Sequence, residues 1–310
     1  MARRPRDVSW PPDPGVLPHP VVDNHTHLDA VLDATGPDGW AAAGDRTLSV
    51  GDHLARAAAV GVTRLVQVGC DLPALDWTVA AVGSHPALLG ALAIHPNEAV
   101  LHAGVHEVAP DGLEPAPRPH HAVSLDDAVA RVADLARTNP RIRAIGETGL
   151  DHFRAGPQGR AVQRAAFREH IALAKELDLA LQIHDRDAHE DVLAVLEQDG
   201  APERTVFHCF SGDAAMARHC VQRGWYLSFA GPVTFSGSGE LRAALGEVPL
   251  GQVLLETDAP YLTAHPHRGR PNAPYLLAVT AGSVATTLDV PLADLCAAVW
   301  ATSEQVYGPW

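Results

Sequence analysis

Eight short apolar runs, rich in branched residues and separated by stretches of helical period, set the rhythm of this 310-residue chain. They are "PVVDN" ending at Asn24, "RLVQVG" (64–69), "LLGALAI" (88–94), "IRAIGE" (142–147), "LALQIH" (179–184), "RTVFH" (204–208), "WYLSFA" (225–230) and "QVLLET" (252–257). Most are near-continuous rather than alternating, the pattern of strands covered on both faces of a parallel sheet. Between them, Phe167, Ile171, Ala174 and Leu177 fall at helical spacing within 160–177. The segments 51–60, 73–83, 124–138, 188–198, 213–223 and 238–246 fit the same role. Strands alternating with helices predict βαβ units. Eight units predict an α/β fold, a single (β/α)8 TIM barrel over 21–310. A doubly wound open sheet is the competing architecture, because a strand count does not show closure.

Three segments break the rhythm. Residues 1–20, with "MARRPRDVSWPPDPG" at their start, have arginines but no apolar stretch after them, which predicts a polar tail and no signal peptide. Residues 33–47, "DATGPDGWAAAGDRT", and 102–122, "HAGVHEVAPDGLEPAPRPHHA", read as loop insertions after the first and third strands. Insertions there can overhang a site at the strand ends. The histidines of the second are read as belonging to a solvated loop, with weak metal binding as the alternative.

Composition narrows the class. The chain is 46% apolar and 19% charged, as in an ordinary globular domain, and no apolar run approaches the ~20 residues of a membrane helix. Four scattered cysteines without a CxxC pair read as reduced thiols of a cytoplasmic protein. A formal charge of −14 argues against a broad nucleic-acid-binding face, which needs clustered Lys and Arg. It does not exclude a polyanionic substrate, since metal ions in a cleft supply positive charge locally.

In a parallel barrel, chemistry sits at the C-terminal ends of the strands. Six of the predicted strands deliver an imidazole or a carboxylate there. The first runs into His25-Thr26-His27 and the third into His95. The fourth brings Glu147 and Asp151, the fifth His184, Arg186 and Asp187, the sixth His208 and the eighth Asp258. An HxH pair on extended backbone points both rings to one face. Imidazoles suit zinc and other late first-row metals, and carboxylates add charge and bridge ions. His25, His27, His184, His208, Glu147 and Asp258 make a candidate ligand set large enough for two ions sharing a bridge. Each has a plainer alternative: His208 as a core histidine, Asp258 as a helix cap, Glu147 as an arginine's partner. His95 and Arg186 are candidates to contact substrate, with a salt bridge to Asp185 or Asp187 as the alternative for Arg186.

The stretches "VDNHTHLD", "AIHPNEA", "AIGETGLDHF", "QRAAFREHIALAKELDLALQIHDRDAHED", "FHCFSG" and "LLETDAPYL", in this order, resemble the TatD family of metal-dependent hydrolases among the amidohydrolase-like barrels. The resemblance implies two divalent ions (Zn, Mg or Mn). His25, His27 and Asp258 would hold the first, Glu147 would bridge, and His184 and His208 would hold the second. It implies a deoxyribonuclease of the 3′–5′ exonuclease type with DNA as substrate. Beside a metal-activated water, Asp258 is also the candidate general base. No obligate protein partner is implied. The family's "RNEP" after the last strand stands here as "RPNAP", with Pro271 before Asn272 and Ala273 replacing the acid, which bears on specificity. An amidohydrolase or esterase acting on a small molecule or aminoacyl ester is the alternative reaction. A non-catalytic metal-binding protein is the alternative class.

Overall fold

A computed structural model describes residues 9–32 and 48–310; the predicted insertion at 33–47 lies outside the described residues. The eight strands are β1 (Val21–Thr26), β2 (Val62–Gly69), β3 (Leu88–Leu92), β4 (Ile142–Asp151), β5 (Ala180–Arg186), β6 (Thr205–Phe207), β7 (Tyr226–Phe229) and β8 (Val253–Leu255), paired in sequential order. Every neighbouring pair is parallel. At the seam Thr26 bridges to Ala259, the Asp258 N–H donates to the His25 carbonyl (3.0 Å), and the His27 N–H donates to the Ala259 carbonyl (2.8 Å). The sheet therefore comes round on itself as a (β/α)8 barrel, and the open-sheet alternative falls.

The surrounding helices are α1 (Leu28–Leu32), α2 (Val50–Ala59), α3 (Leu72–Ser84), α4 (Pro96–His102), α5 (Leu125–Thr138), α6 (Pro157–Glu176), α7 (His189–Asp199), α8 (Ala214–Gln222), α9 (Gly239–Leu245), α10 (Leu277–Leu288) and α11 (Leu292–Tyr307). Side-chain caps start several of them: Ser49, Asp71, Ser124 and Asp213 each accept a first-turn backbone N–H. The alternation of each strand splits the core in two. Outward residues such as Leu65, Leu92, Ile145, Leu181 and Phe207 pack against the helix layer through Phe167, Ile171 and Val132. Inward residues Val66, Val68, Leu89, Ala144, Val206 and Leu254 form a smaller cluster inside the barrel.

Val306 and Tyr307 of α11 join that inner cluster, filling the N-terminal end of the barrel. This leaves the C-terminal end for chemistry. Neither α10 nor α11 is among the elements that the strand-and-helix pattern assigns. Residues 9–20, expected as a tail, are tied to the barrel wall. The Trp10 carbonyl accepts from Arg270 and the Pro11 carbonyl from Tyr275 and Arg56, while Leu17 is buried against Val60. Among the described residues no single helix is long and apolar enough to cross a membrane.

Tyr307 also gives the plug a polar contact: its hydroxyl accepts a hydrogen bond from Gln182 Nε2 at 2.8 Å. Tyr307→Phe leaves that buried amide proton without a partner, so it should cost about 1–3 kcal/mol. Thermal unfolding checks this; an unchanged midpoint would show that the hydroxyl contributes nothing.

Candidate metal centre

The strand ends converge as the positional rule predicts. His25 lies at the end of β1, with His27 one residue beyond the strand, and their Nε2 atoms are 3.1 Å apart. Asp258 Oδ1 stands 3.9 Å from His25 Nε2 and 3.5 Å from His27 Nε2. Glu147 Oε2 stands 3.5 Å and 3.8 Å from the same two nitrogens. On its other side Glu147 Oε1 meets His184 Nδ1 at 2.5 Å, His208 Nε2 at 3.1 Å and His95 Nε2 at 3.7 Å. His25 and His208 stack with ring centroids 3.7 Å apart. All six candidate ligands thus lie together at the C-terminal ends of the strands.

The hydrogen bonds behind the first two rings decide what they offer. His25 Nδ1 faces Gln182 Oε1 at 3.2 Å and His27 Nδ1 faces the Val68 carbonyl at 3.1 Å. Both acceptors take an N–H, so both rings carry their proton on Nδ1 and turn an Nε2 lone pair toward the other and toward two carboxylates. Two lone pairs 3.1 Å apart need a cation between them. The donor set therefore fits a divalent metal. Without one, a proton takes the place. Burial and the neighbouring His208 charge push His25 down to about 4. Burial also opposes charge on His27, yet Asp258 and Glu147 outweigh it and raise it to about 9.

The remaining groups carry the same logic. Burial would raise Glu147, but the charges of His208, His95 and His184 hold it well below the usual carboxylate range. His184 sits between Glu147 and Asp151 (Nε2 to Oδ2 3.2 Å), which overcome its burial and raise it to about 9. Glu256 and Glu147 raise His208 well above its ordinary value against the same opposition.

The plainer alternatives fare unevenly. Glu147 is surrounded by imidazoles, not by an arginine. No helix begins at Asp258; it adopts a left-handed φ of 51°, tolerable for aspartate, and its carbonyl accepts the Tyr261 N–H in a turn. His95 caps α4, its Nδ1 accepting the Asn97 N–H at 3.1 Å, so a ring proton sits on Nε2 and that nitrogen faces the centre as a donor. Arg186 is exposed, and among the described residues it pairs with neither Asp185 nor Asp187; its guanidinium lies 4.0 Å over the Phe153 ring.

Several residues that hold the ligands escaped the sequence reading. Gln182 orients His25, while Gln67 accepts the Leu28 N–H and donates to Asp29. Glu256 Oε1 is 2.8 Å from His208 Nδ1 and accepts the Cys209 N–H. Cys70 Sγ is 3.7 Å from Glu147 Oε2. Asp23, two residues before His25, accepts from the Thr257 N–H (2.8 Å) and hydroxyl (2.5 Å), tying β1 to the segment that carries Asp258. The signal for Gln67 and Gln182 was there: each is a lone amide between two apolar strand residues, Val66 and Val68 in β2, Leu181 and Ile183 in β5.

A barrel with a histidine and carboxylate centre at its strand C-termini defines the class of metal-dependent hydrolase barrels. The chain belongs to the TatD-related DNase family, whose model matches residues 22–308. It is 40% identical over 292 residues to the "uncharacterized metal-dependent hydrolase TatD" of Mycobacterium tuberculosis, covering 93% of this chain and 98% of that one. Over 214 residues it is 36% identical to the "3′-5′ ssDNA/RNA exonuclease TatD" of Cronobacter turicensis, covering 68% and 72%. The crystal structure of the TatD homologue YjjV from Escherichia coli superposes with a TM-score of 0.76 at 23% identity, covering 94% of this chain and 98% of that one, and shares the fold.

Raised His27, His184 and His208 are protonated at neutral pH, whereas ligation needs their lone pairs. Metal loading of the stripped protein should therefore expel about three protons, and apparent affinity should climb as pH rises toward 9. Calorimetric titration in buffers of different ionisation enthalpy measures this. Binding without proton release would mean that the imidazoles are already neutral.

Proposed function

We propose that this chain is a metal-dependent deoxyribonuclease that removes nucleotides from the 3′ end of single-stranded DNA. The observation that carries the reading is the paired Nε2 lone pairs of His25 and His27 facing Asp258 and Glu147, in a chain of the TatD-related DNase family. His25, His27 and Asp258 would hold one divalent ion and His184 with His208 a second, Glu147 standing between the two groups. Four imidazoles favour zinc over magnesium, with manganese intermediate.

When bound, such ions lower the pKa of water and stabilise charge developing on a phosphoryl group. The chain's own residues do the rest. Asp258 takes the proton from the attacking water as general base. His95 donates its Nε2–H to a phosphoryl oxygen, and Arg186 swings from its stack on Phe153 to grip a neighbouring phosphate bidentately. Glu147, buried and anionic, keeps the two ligand groups together. Phe153 (36% exposed) and Tyr261 (43% exposed, its ring 6.0 Å from His27) stand at the rim, where an unpaired base can stack on an aromatic face. That suits a single strand better than a duplex. Cytoplasmic residence fits four free cysteines, two of them buried.

Two measurements test the reading on end-labelled single-stranded DNA. Chelation with EDTA should abolish shortening from the 3′ end, and divalent metal should restore it. Glu147→Gln keeps the shape but loses the central charge, so turnover should fall about a hundredfold or more with the fold retained. Full activity after verified metal removal, or wild-type turnover from Glu147→Gln, refutes the mechanism. Hydrolysis of esters or amides with no action on DNA would point instead to the small-molecule alternative.

A further inference from the structure

A second cluster of ligand-type side chains lies outside the centre, on α4 and the segment that follows it. Glu98 and His102 are four residues apart and so share one face of α4. His120 and His121 belong to the short 3-10 turn Pro119–Ala122 at the far end of the predicted insertion. One donor atom from each of the four lies within 4.8 Å of all the others. This is not the solvated loop the composition suggests: His102 is 6% and His121 9% exposed.

The three imidazoles play different parts. His102 Nδ1 donates to the Val123 carbonyl at 2.8 Å, which leaves the lone pair on Nε2, and that nitrogen is buried with no hydrogen-bond partner. His121 Nδ1 accepts the Arg118 N–H at 2.7 Å, so its proton sits on Nε2 and is donated to Glu98 Oε2 at 2.6 Å. His120 Nε2 is 3.1 Å from the same oxygen, and among the described residues nothing bonds its Nδ1, so its tautomer is free to change. A buried lone pair without a donor, beside an anionic oxygen and a second adaptable imidazole, is a site prepared for a cation.

We propose that Glu98, His102 and His120 form a second, separate binding site for a late first-row divalent cation, zinc foremost, with His121 holding the Glu98 carboxylate in place. Two histidines and a carboxylate make three ligands, and water completes a tetrahedron. The ion is a clip. It joins both ends of residues 103–119 to α4, and within that segment Glu107 accepts the Gly159 N–H at 2.6 Å at the start of α6. The site is independent of the nuclease reading and stands whatever the main centre hydrolyses.

The test uses the full-length chain, stripped of metal, reloaded with zinc, desalted and counted by elemental analysis. Glu98→Gln and His120→Ala should each retain one zinc per chain fewer than wild type while keeping the nuclease activity. Zinc at about ten times its dissociation constant should slow hydrogen exchange of 103–119 about tenfold in wild type and leave it unchanged in His120→Ala. Should either variant misfold, wild-type exchange decides alone, because zinc added to a chain already loaded at the main centre must still protect 103–119. Equal zinc counts in wild type and folded variants, or exchange indifferent to zinc, overturns the proposal.

Discussion

One carboxylate governs the mouth of this barrel. Glu147 is buried among five imidazoles, those of His25, His27, His95, His184 and His208, at distances from 2.5 to 3.8 Å. An isolated buried carboxylate costs several kcal/mol, and it is tolerable only when cations or protons surround it. The surrounding strands therefore carry titratable groups at the same end. The hydrophobic walls below supply the stability that lets the rim remain so polar. The strand residues beneath it, Val66, Val68, Leu89 and Val206, are fully or nearly fully buried.

That arrangement is transmitted downward through polar contacts that thread the apolar interior. Tyr307 at the base receives a hydrogen bond from Gln182, and Gln182 in turn accepts from His25. Its amide also donates to the Asn24 carbonyl at 2.9 Å, so one side chain secures a ligand ring, the strand beside it and the C-terminal helix. On the opposite side Glu256 joins His208, Ser228 and the Cys209 N–H. Burial holds Asp23 up to about 8 even though it accepts from Thr257. Such outer contacts set tautomer and ring orientation, which a ligand list alone does not convey. Gly146 shows the steric side: a Cβ there would lie 2.5 Å from Gln182 Cβ, so β4 approaches β5 only because the residue before Glu147 has no side chain.

The convergence of the candidate ligands at one end of the barrel was legible in the sequence because two rules compound. Near-continuous apolar runs locate buried parallel strands, and parallel barrels put chemistry just after them. His184 and His208 are found that way with no knowledge of their neighbours. What escaped had physical reasons. β4 runs on to Asp151 and β5 to Arg186, pairing Gly149 with His184 and Asp151 with Arg186, through residues too polar to read as strand. Those extensions are what carry the ligands upward. The cluster around Glu98 was missed because its members come from a helix turn and a proline-rich stretch without periodicity. Only the three-dimensional path of 103–119 brings His120 and His121 back to α4.

Charge finally constrains how such a chain meets its substrate. With a formal −14 overall, the protein as a whole repels a polyanion, and long-range steering cannot bring DNA to it. Attraction must be local and must come from the same imidazoles and ions that neutralise Glu147. On the proposed reading, the positive charge that balances the buried carboxylate would also receive phosphate, so that a single interaction serves stability and recognition. Exposed Phe153 and Tyr261 add a contact that is indifferent to charge, since stacking on a base needs only an open ring face. On the nuclease reading proposed above, a strand entering such a mouth would be held by its bases at the rim and by its phosphate at the centre.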